Sequence, residues 1–155
     1  MIWRLVEIFP PAWRARLDAA ALLVLRVVFG GAMIYGHGWG KLTTYGERSA
    51  SFPDPLGVGS PASLGLAVFA EAFCALAIVL GLLTRLAALP LIVTMLVAFF
   101  VVHGNDPFGD KELALVYLAA YLALFLRGAG AWSVDAWLKN LGSKAAPSDS
   151  TRNQP

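Results

Sequence analysis

Four apolar runs that hold only two charged residues between them constrain this chain more than any other feature. They are 19–36, interrupted by Arg26; 62–83, interrupted by Glu71; and 86–102 and 113–126, with no charge at all. A helix needs about 20 residues to cross a bilayer, within a range of about 17–25. The first three runs reach that length alone. The fourth is shorter, but Arg127 can snorkel and 128–132 can carry it to the interface. Backbone in lipid must satisfy its own hydrogen bonds, so each run is expected to be a helix. Composition agrees: 14% of the 155 residues are charged and 58% are hydrophobic. A soluble domain carries about 25% charged residues, and one this small has too little interior to hide the excess apolar side chains. A soluble globular enzyme and a disordered chain are both disfavoured. The first run starts late, carries an arginine at mid-length and is followed by three more. It is therefore read as a span and not as a cleaved signal peptide, with the mature chain starting where the sequence starts.

The expected fold is all-α: an integral membrane four-helix bundle with spans near 19–37, 62–83, 86–103 and 112–131 and short interfacial helices at its ends. Lys and Arg counting orients it. Arg4, Arg14, Arg16, Arg85, Arg127, Lys139, Lys144 and Arg152 fall on one side, and Lys41, Arg48 and Lys111 on the other. Both termini are thus expected in the cytoplasm of a bacterial-type cell, with the protein in its inner membrane. Residues 1–18 read as a cytoplasmic amphipathic segment with Ile2, Val6, Phe9 and Trp13 on one face, and Pro11 opens the first long helix. Residues 133–141 read as an interfacial helix capped by Ser133, with Val134, Trp137, Leu138 and Leu141 on one face. Residues 142–155 are polar and small, and read as a disordered tail. The segment 42–61 contains Pro53, Pro55, Gly57, Gly59 and Pro61. It is an exposed loop or a lid over the outer end of the bundle.

Arg26 and Glu71 are expected to form an intramembrane ion pair, because a lone charge at that depth costs about 2.5–3.5 kcal/mol. The pair either fixes helix register or relays a proton or substrate. Arg26, Gly30, Met33, His37 and Lys41 share one face of the first span, whose helix should weaken past Gly36 as glycines alternate. His103, Asp106, Asp110, Lys111 and Glu112 gather at the same outer end. This cluster is interfacial solvation and helix capping, or a site for a polar redox headgroup such as a quinone. A metal held by His37, His103 and Glu112 has no close-spaced ligand motif behind it, and no metal is assigned. A bis-histidine haem b on His37 and His103 is disfavoured, since span ends are poor places to bury a macrocycle. Tyr117, Tyr121 and Cys74 read as packing residues. Cys74 is the one cysteine, which excludes an intrachain disulfide and a paired-cysteine thiol oxidoreductase. The net charge of +2 gives no nucleic-acid partner.

Four stretches resemble the DoxX family of small four-helix membrane proteins. They are LRVVFGGAMIYGHGWGKL at 25–42, FAEAFCALAIVLGLLTRLAAL at 69–89, VVHGNDPFGDKELALVYL at 101–118 and GAGAWSVD at 128–135. Arg26, Lys41, Glu71, Arg85, His103 and Glu112 stand where that family's recurring polar positions fall. The resemblance implies a component of a quinone-linked or sulfur/thiol redox system, tied to oxidative-stress defence. A soluble redox enzyme and a second copy of the chain, in a homo-oligomer, are the candidate partners, and the sequence does not fix the oligomeric state. His37, Lys41, His103 and Glu112 are then the ligand-binding residues, with His103 and Glu112 as the catalytic candidates. A non-catalytic scaffold for a soluble enzyme and a small transporter are the alternatives.

Overall fold

The computed structural model describes residues 10–145. The expected amphipathic positions 2, 6 and 9 and the tail from 146 onward lie outside them. Among the described residues all regular structure is helical. Helix α1 (Pro11–Met33) runs without a break through a π-helical turn, Ile34–Gly38, into α2 (Trp39–Thr43). Pro11 occupies the first turn of α1, where its missing N–H costs nothing. A short α3 (Tyr45–Arg48) precedes the loop. The second rod is α4 (Ser60–Val68), a π-helical Phe69–Cys74 and α5 (Ala75–Leu80). The third is α6 (Thr84–Val97) continued by a π-helical Ala98–Val102. Then come α7 (Phe108–Arg127) and α8 (Val134–Ala145).

Three rods are long and apolar enough to cross a membrane: Trp13–Thr43, Ser60–Leu80 and Thr84–Val102. Helix α7 has 20 residues, but Asp110, Lys111 and Glu112 lie close to its start, so its uncharged stretch is 113–126. It stops at Arg127 because Gly128 has φ 78°, short of the expected 131. Residues 142–145, expected in the tail, continue α8, and Ser133 Oγ accepts from Ala136 N at 3.1 Å as its cap.

Helix α1 packs on α5 and α7, α5 on α6, and α6 most extensively on α7. Half of the apolar window of the second rod is buried, against 22% in the first and third, so the second rod is the central one. The core joins Met33, Ala75, Ile78, Ala88, Leu91, Tyr121 and Leu124. Small residues at these contacts let helices approach closely where lipid removes the hydrophobic drive between them. The outward faces are also apolar, with Val28, Leu86 and Phe100 more than half exposed.

The turn between the second and third rods is fixed by backbone chemistry. Gly81 at φ 69° follows α5, with Leu82 N donating to Ala77 O at 2.9 Å and Gly81 N to Ile78 O at 3.0 Å. These two bonds satisfy carbonyls that the helix end would otherwise leave unpaired. Leu83 then takes φ 47°, left-handed for a non-glycine residue.

Candidate functional site

Two glycines set the register of the first two rods. A Cβ at residue 30 would lie 2.7 Å from Val79 Cγ2 and 3.0 Å from Ala75 O. A Cβ at residue 38 would lie 2.3 Å from Glu71 O. The backbones meet closely at Gly38, an approach that glycine permits. Around Gly36, where the alternating glycines are expected to weaken the helix, the α-helix gives way to the π-helical turn Ile34–Gly38 before resuming as α2.

Lys41 follows Gly38 by three residues and lies on its face of the helix. Its Nζ pairs with Glu71 Oε2, and Glu71 is 5% exposed. The expected Arg26–Glu71 pair is therefore replaced by Lys41–Glu71. Glu71 stands level with residue 38, and the rise from residue 26 to residue 38 is about 18 Å. Depth counted along each run does not reveal how the two rods are offset: residue 30 lies against Ala75 and Val79, residue 38 against Glu71, and Arg26 against Gly81.

Each rod has one π-helical segment. Such turns are rare and concentrate at functional sites; the added residue swings the following side chains about 100° round the axis. All three segments border one cavity of about 640 Å³. His37 comes from the first, Phe69, Ala70 and Glu71 from the second, and Ala98 and Val102 from the third. Lys41, Ser63, Thr94, His103, Asp110 and Tyr117 complete its polar lining. Phe52, Pro53, Pro55 and Leu56 line it from the loop, so that segment lies against the cavity.

His37, Lys41 and His103 all line this one cavity. Glu112 does not join them: it is exposed, and Asp110 lines the cavity instead. Two positions along a helix differ by about 200°, which puts residues 110 and 112 on opposite faces. The His37 ring meets Tyr117 edge-on at 6.0 Å, and Tyr117 stacks on Tyr121 at 5.9 Å. Tyr121 Oη donates to Phe29 O at 3.3 Å. His103 Nδ1 lies 2.8 Å from Asp106 Oδ2. Among the described residues no three His, Cys, Asp or Glu side chains are placed to share a metal ion.

The loop is held by Asp54. Its carboxylate accepts from Ser63 Oγ at 2.6 Å, Gly59 N at 2.7 Å and Val58 N at 3.0 Å. The Ser63 hydroxyl first, then the Gly59 amide, hold this carboxyl below the usual carboxylate range.

Arg26 belongs to a second cluster at the opposite end. It is fully buried, and its Nη2 donates to Trp132 O. Its Nε and Nη1 have no hydrogen-bond partner, and Asp135 supplies the opposite charge that acts on it. A Cβ at residue 81 would lie 1.8 Å from Arg26 Nη1. Asp135 also accepts from Leu83 N at 2.7 Å and Thr84 N at 3.0 Å, capping α6 from another helix. Sequence reasoning missed Asp135. Its one signal was the short GAGAWSVD stretch, whose aspartate looked like part of a local helix start.

The sequence profile of the DoxX family matches residues 21–104. Inner membrane protein YqjF of Escherichia coli is 32% identical over 79% of this chain and 95% of its own length. An uncharacterized protein of Haemophilus influenzae is 28% identical over 66% of this chain and 72% of its own length. No solved structure matches. The family profile covers the first rod from residue 21 onward, the second and third rods, and both partners of the Lys41–Glu71 pair.

Proposed function

The chain belongs to the DoxX family, and on that premise we propose that it is an inner-membrane component of a quinone-linked redox system, with the outer cavity as its quinone site. In this reading α7 is the fourth span, both termini face the cytoplasm, and a soluble redox enzyme works with the membrane protein. The observation that carries the reading is the pairing of half-buried Lys41 with buried Glu71 in the wall of a cavity built on three π-helical segments. Burying the Glu71 carboxylate is expensive, and intramembrane ionisable groups mark functional sites.

The residues fit a quinone ring. Apolar walls from Met33, Ala70 and Ala98 suit a planar ring, and His37, Lys41, His103 and the Tyr117 hydroxyl offer donors for two carbonyl oxygens. The cavity volume lies within the usual range for small-molecule sites, about 300–1,000 Å³. A bound quinone supplies two-electron, two-proton redox capacity. Lys41 holds a proton beside the ring site, Glu71 fixes the ammonium in place, and Asp110 and His103 connect the cavity to the outer surface. The catalytic candidates are therefore Lys41 and His103, with Glu112 set aside.

Titrating purified protein in lipid nanodiscs with decylubiquinone, and following tryptophan fluorescence, tests the reading. Saturable binding, weakened at least tenfold by Lys41→Met, is expected. Absence of saturable binding, together with no quinone turnover when membrane or soluble fractions are added, removes it.

A scaffold reading rests on α8, whose Trp137, Leu138 and Leu141 are exposed. It requires a soluble enzyme to co-purify with the protein and to remain bound after Lys41→Met.

A further inference from the structure

The outer cavity has a side opening. Helix α4 packs on α2 and on the π-helical turn that follows it, whereas α6 packs on Phe69–Cys74, α5 and α7. No comparable packing joins α4 to α6 or to Ala98–Val102. The second and third rods therefore hold together near their shared turn and separate toward the outer end. The cavity occupies the gap: Leu66 and Phe69 line it from one rod, and Leu89, Val93 and Val97 from the other. Leu66, Phe69 and Val93 are each more than half exposed, on rods long and apolar enough to cross a membrane. Pro90 sits inside α6 on the cavity wall. Thr94 Oγ1 donates to its carbonyl at 2.8 Å, and proline at a helix interior favours bending.

The aqueous side is different. Phe52, Pro53, Pro55 and Leu56 lie against the cavity there, and Asp54 bonds to Val58, Gly59 and Ser63 to hold them. Lys41 and Glu71 line the same cavity and are far less exposed than this apolar lip. From the membrane, a molecule would meet apolar side chains first and charged ones last.

We infer that the ligand enters sideways from the outer leaflet between the second and third rods, and that its apolar tail stays in that cleft while its polar head reaches Lys41–Glu71. This rests on the quinone reading and adds the tail and the route. It distinguishes a long-tailed, lipid-soluble quinone from a water-soluble one taken from the outer aqueous side.

The test compares two probes with one headgroup, decylubiquinone and 2,3-dimethoxy-5-methyl-1,4-benzoquinone, which lacks the tail. Both are titrated into full-length protein in nanodiscs. The proteins are wild type, Val93→Trp, Leu89→Trp and, on a lipid-facing position off the cavity, Val101→Trp. Each probe's partition into the bilayer is the same for all four proteins and cancels when the ratio of the two affinities is compared between them. At least a tenfold fall in the tailed-to-tailless ratio is expected for Val93→Trp or Leu89→Trp, with Val101→Trp matching wild type. Leu89 lies one turn from Val93, so either variant can be read if the other fails to fold. A ratio that stays at the wild-type value in every folded cleft variant overturns the side entry and leaves the quinone site standing. If neither probe binds wild-type protein, the quinone site itself falls, and the side entry with it.

Discussion

Lys41 meets Glu71 because Gly38, one helical turn earlier, lets the two backbones touch. Removing the ammonium leaves a carboxylate that is 5% exposed without its partner. Breaking a buried pair costs about 3–5 kcal/mol. The Lys41 side chain keeps 20% of its exposure, so Lys41→Met belongs at the lower end of that range. Adding Glu71→Gln removes the stranded charge and should restore most of the melting temperature. A thermal melt of both variants in detergent checks the order, and a double variant no more stable than Lys41→Met would contradict it. Asp54 gives the pH dependence. Its carboxyl is held low in the folded state, so its contribution is fully present above the unfolded value, about 3.9. That contribution is lost as pH falls through the lower folded value. Amide exchange in residues 52–59 should therefore be insensitive to this group above about pH 5 and rise under stronger acid. Asp54→Asn should abolish that acid response while raising exchange at neutral pH.

At the scale of elements, the glycines of the first rod separate into two kinds. Gly38→Ala would force a Cβ against Glu71 O at 2.3 Å. Backbone cannot move aside as a side chain can, so a loss of about 1–3 kcal/mol or more is expected. Gly31 has nothing within 4 Å of its added Cβ, so Gly31→Ala should gain about 0.5–1 kcal/mol from helix propensity. Opposite signs in paired thermal melts are the expected outcome, and equal effects would contradict the register. The apolar runs made the rods legible in the sequence, since nothing else satisfies backbone in lipid. Helix-face arithmetic on 26–41 placed His37 and Lys41 together. The register between rods was not legible, because it depends on which of several glycines touches a neighbour. That gap produced the Arg26–Glu71 expectation. The π-helical turns carry no residue signature in Ile34–Gly38, Phe69–Cys74 or Ala98–Val102, so the rotation they impose could not be read. Asp135 stayed hidden for a related reason: it caps a helix about fifty residues away in the chain.

Over the whole molecule, the charge asymmetry predicts topology. Ser51 and Ser143 are both exposed, one in the loop beside the cavity and one in α8. In a Cys74→Ser background, Ser51→Cys should react with an impermeant maleimide on intact spheroplasts, and Ser143→Cys only after lysis. The reverse pattern would invert the orientation and bring the cavity to the cytoplasmic side. The two buried charged clusters would then be exchanged between leaflets as well, Arg26 with Asp135 at one end and Lys41 with Glu71 at the other. In the proposed reading the cavity between the second and third rods holds a quinone beside Lys41–Glu71. Photolabelling with an azidoquinone, followed by mapping of the modified residues, tests it most directly. Adducts should cluster on cavity residues such as Phe69, Val93, Ala98 and Tyr117, and decylubiquinone should compete them away. Adducts spread over lipid-facing positions such as Val28, Phe100 and Leu126, and unaffected by competitor, would contradict it.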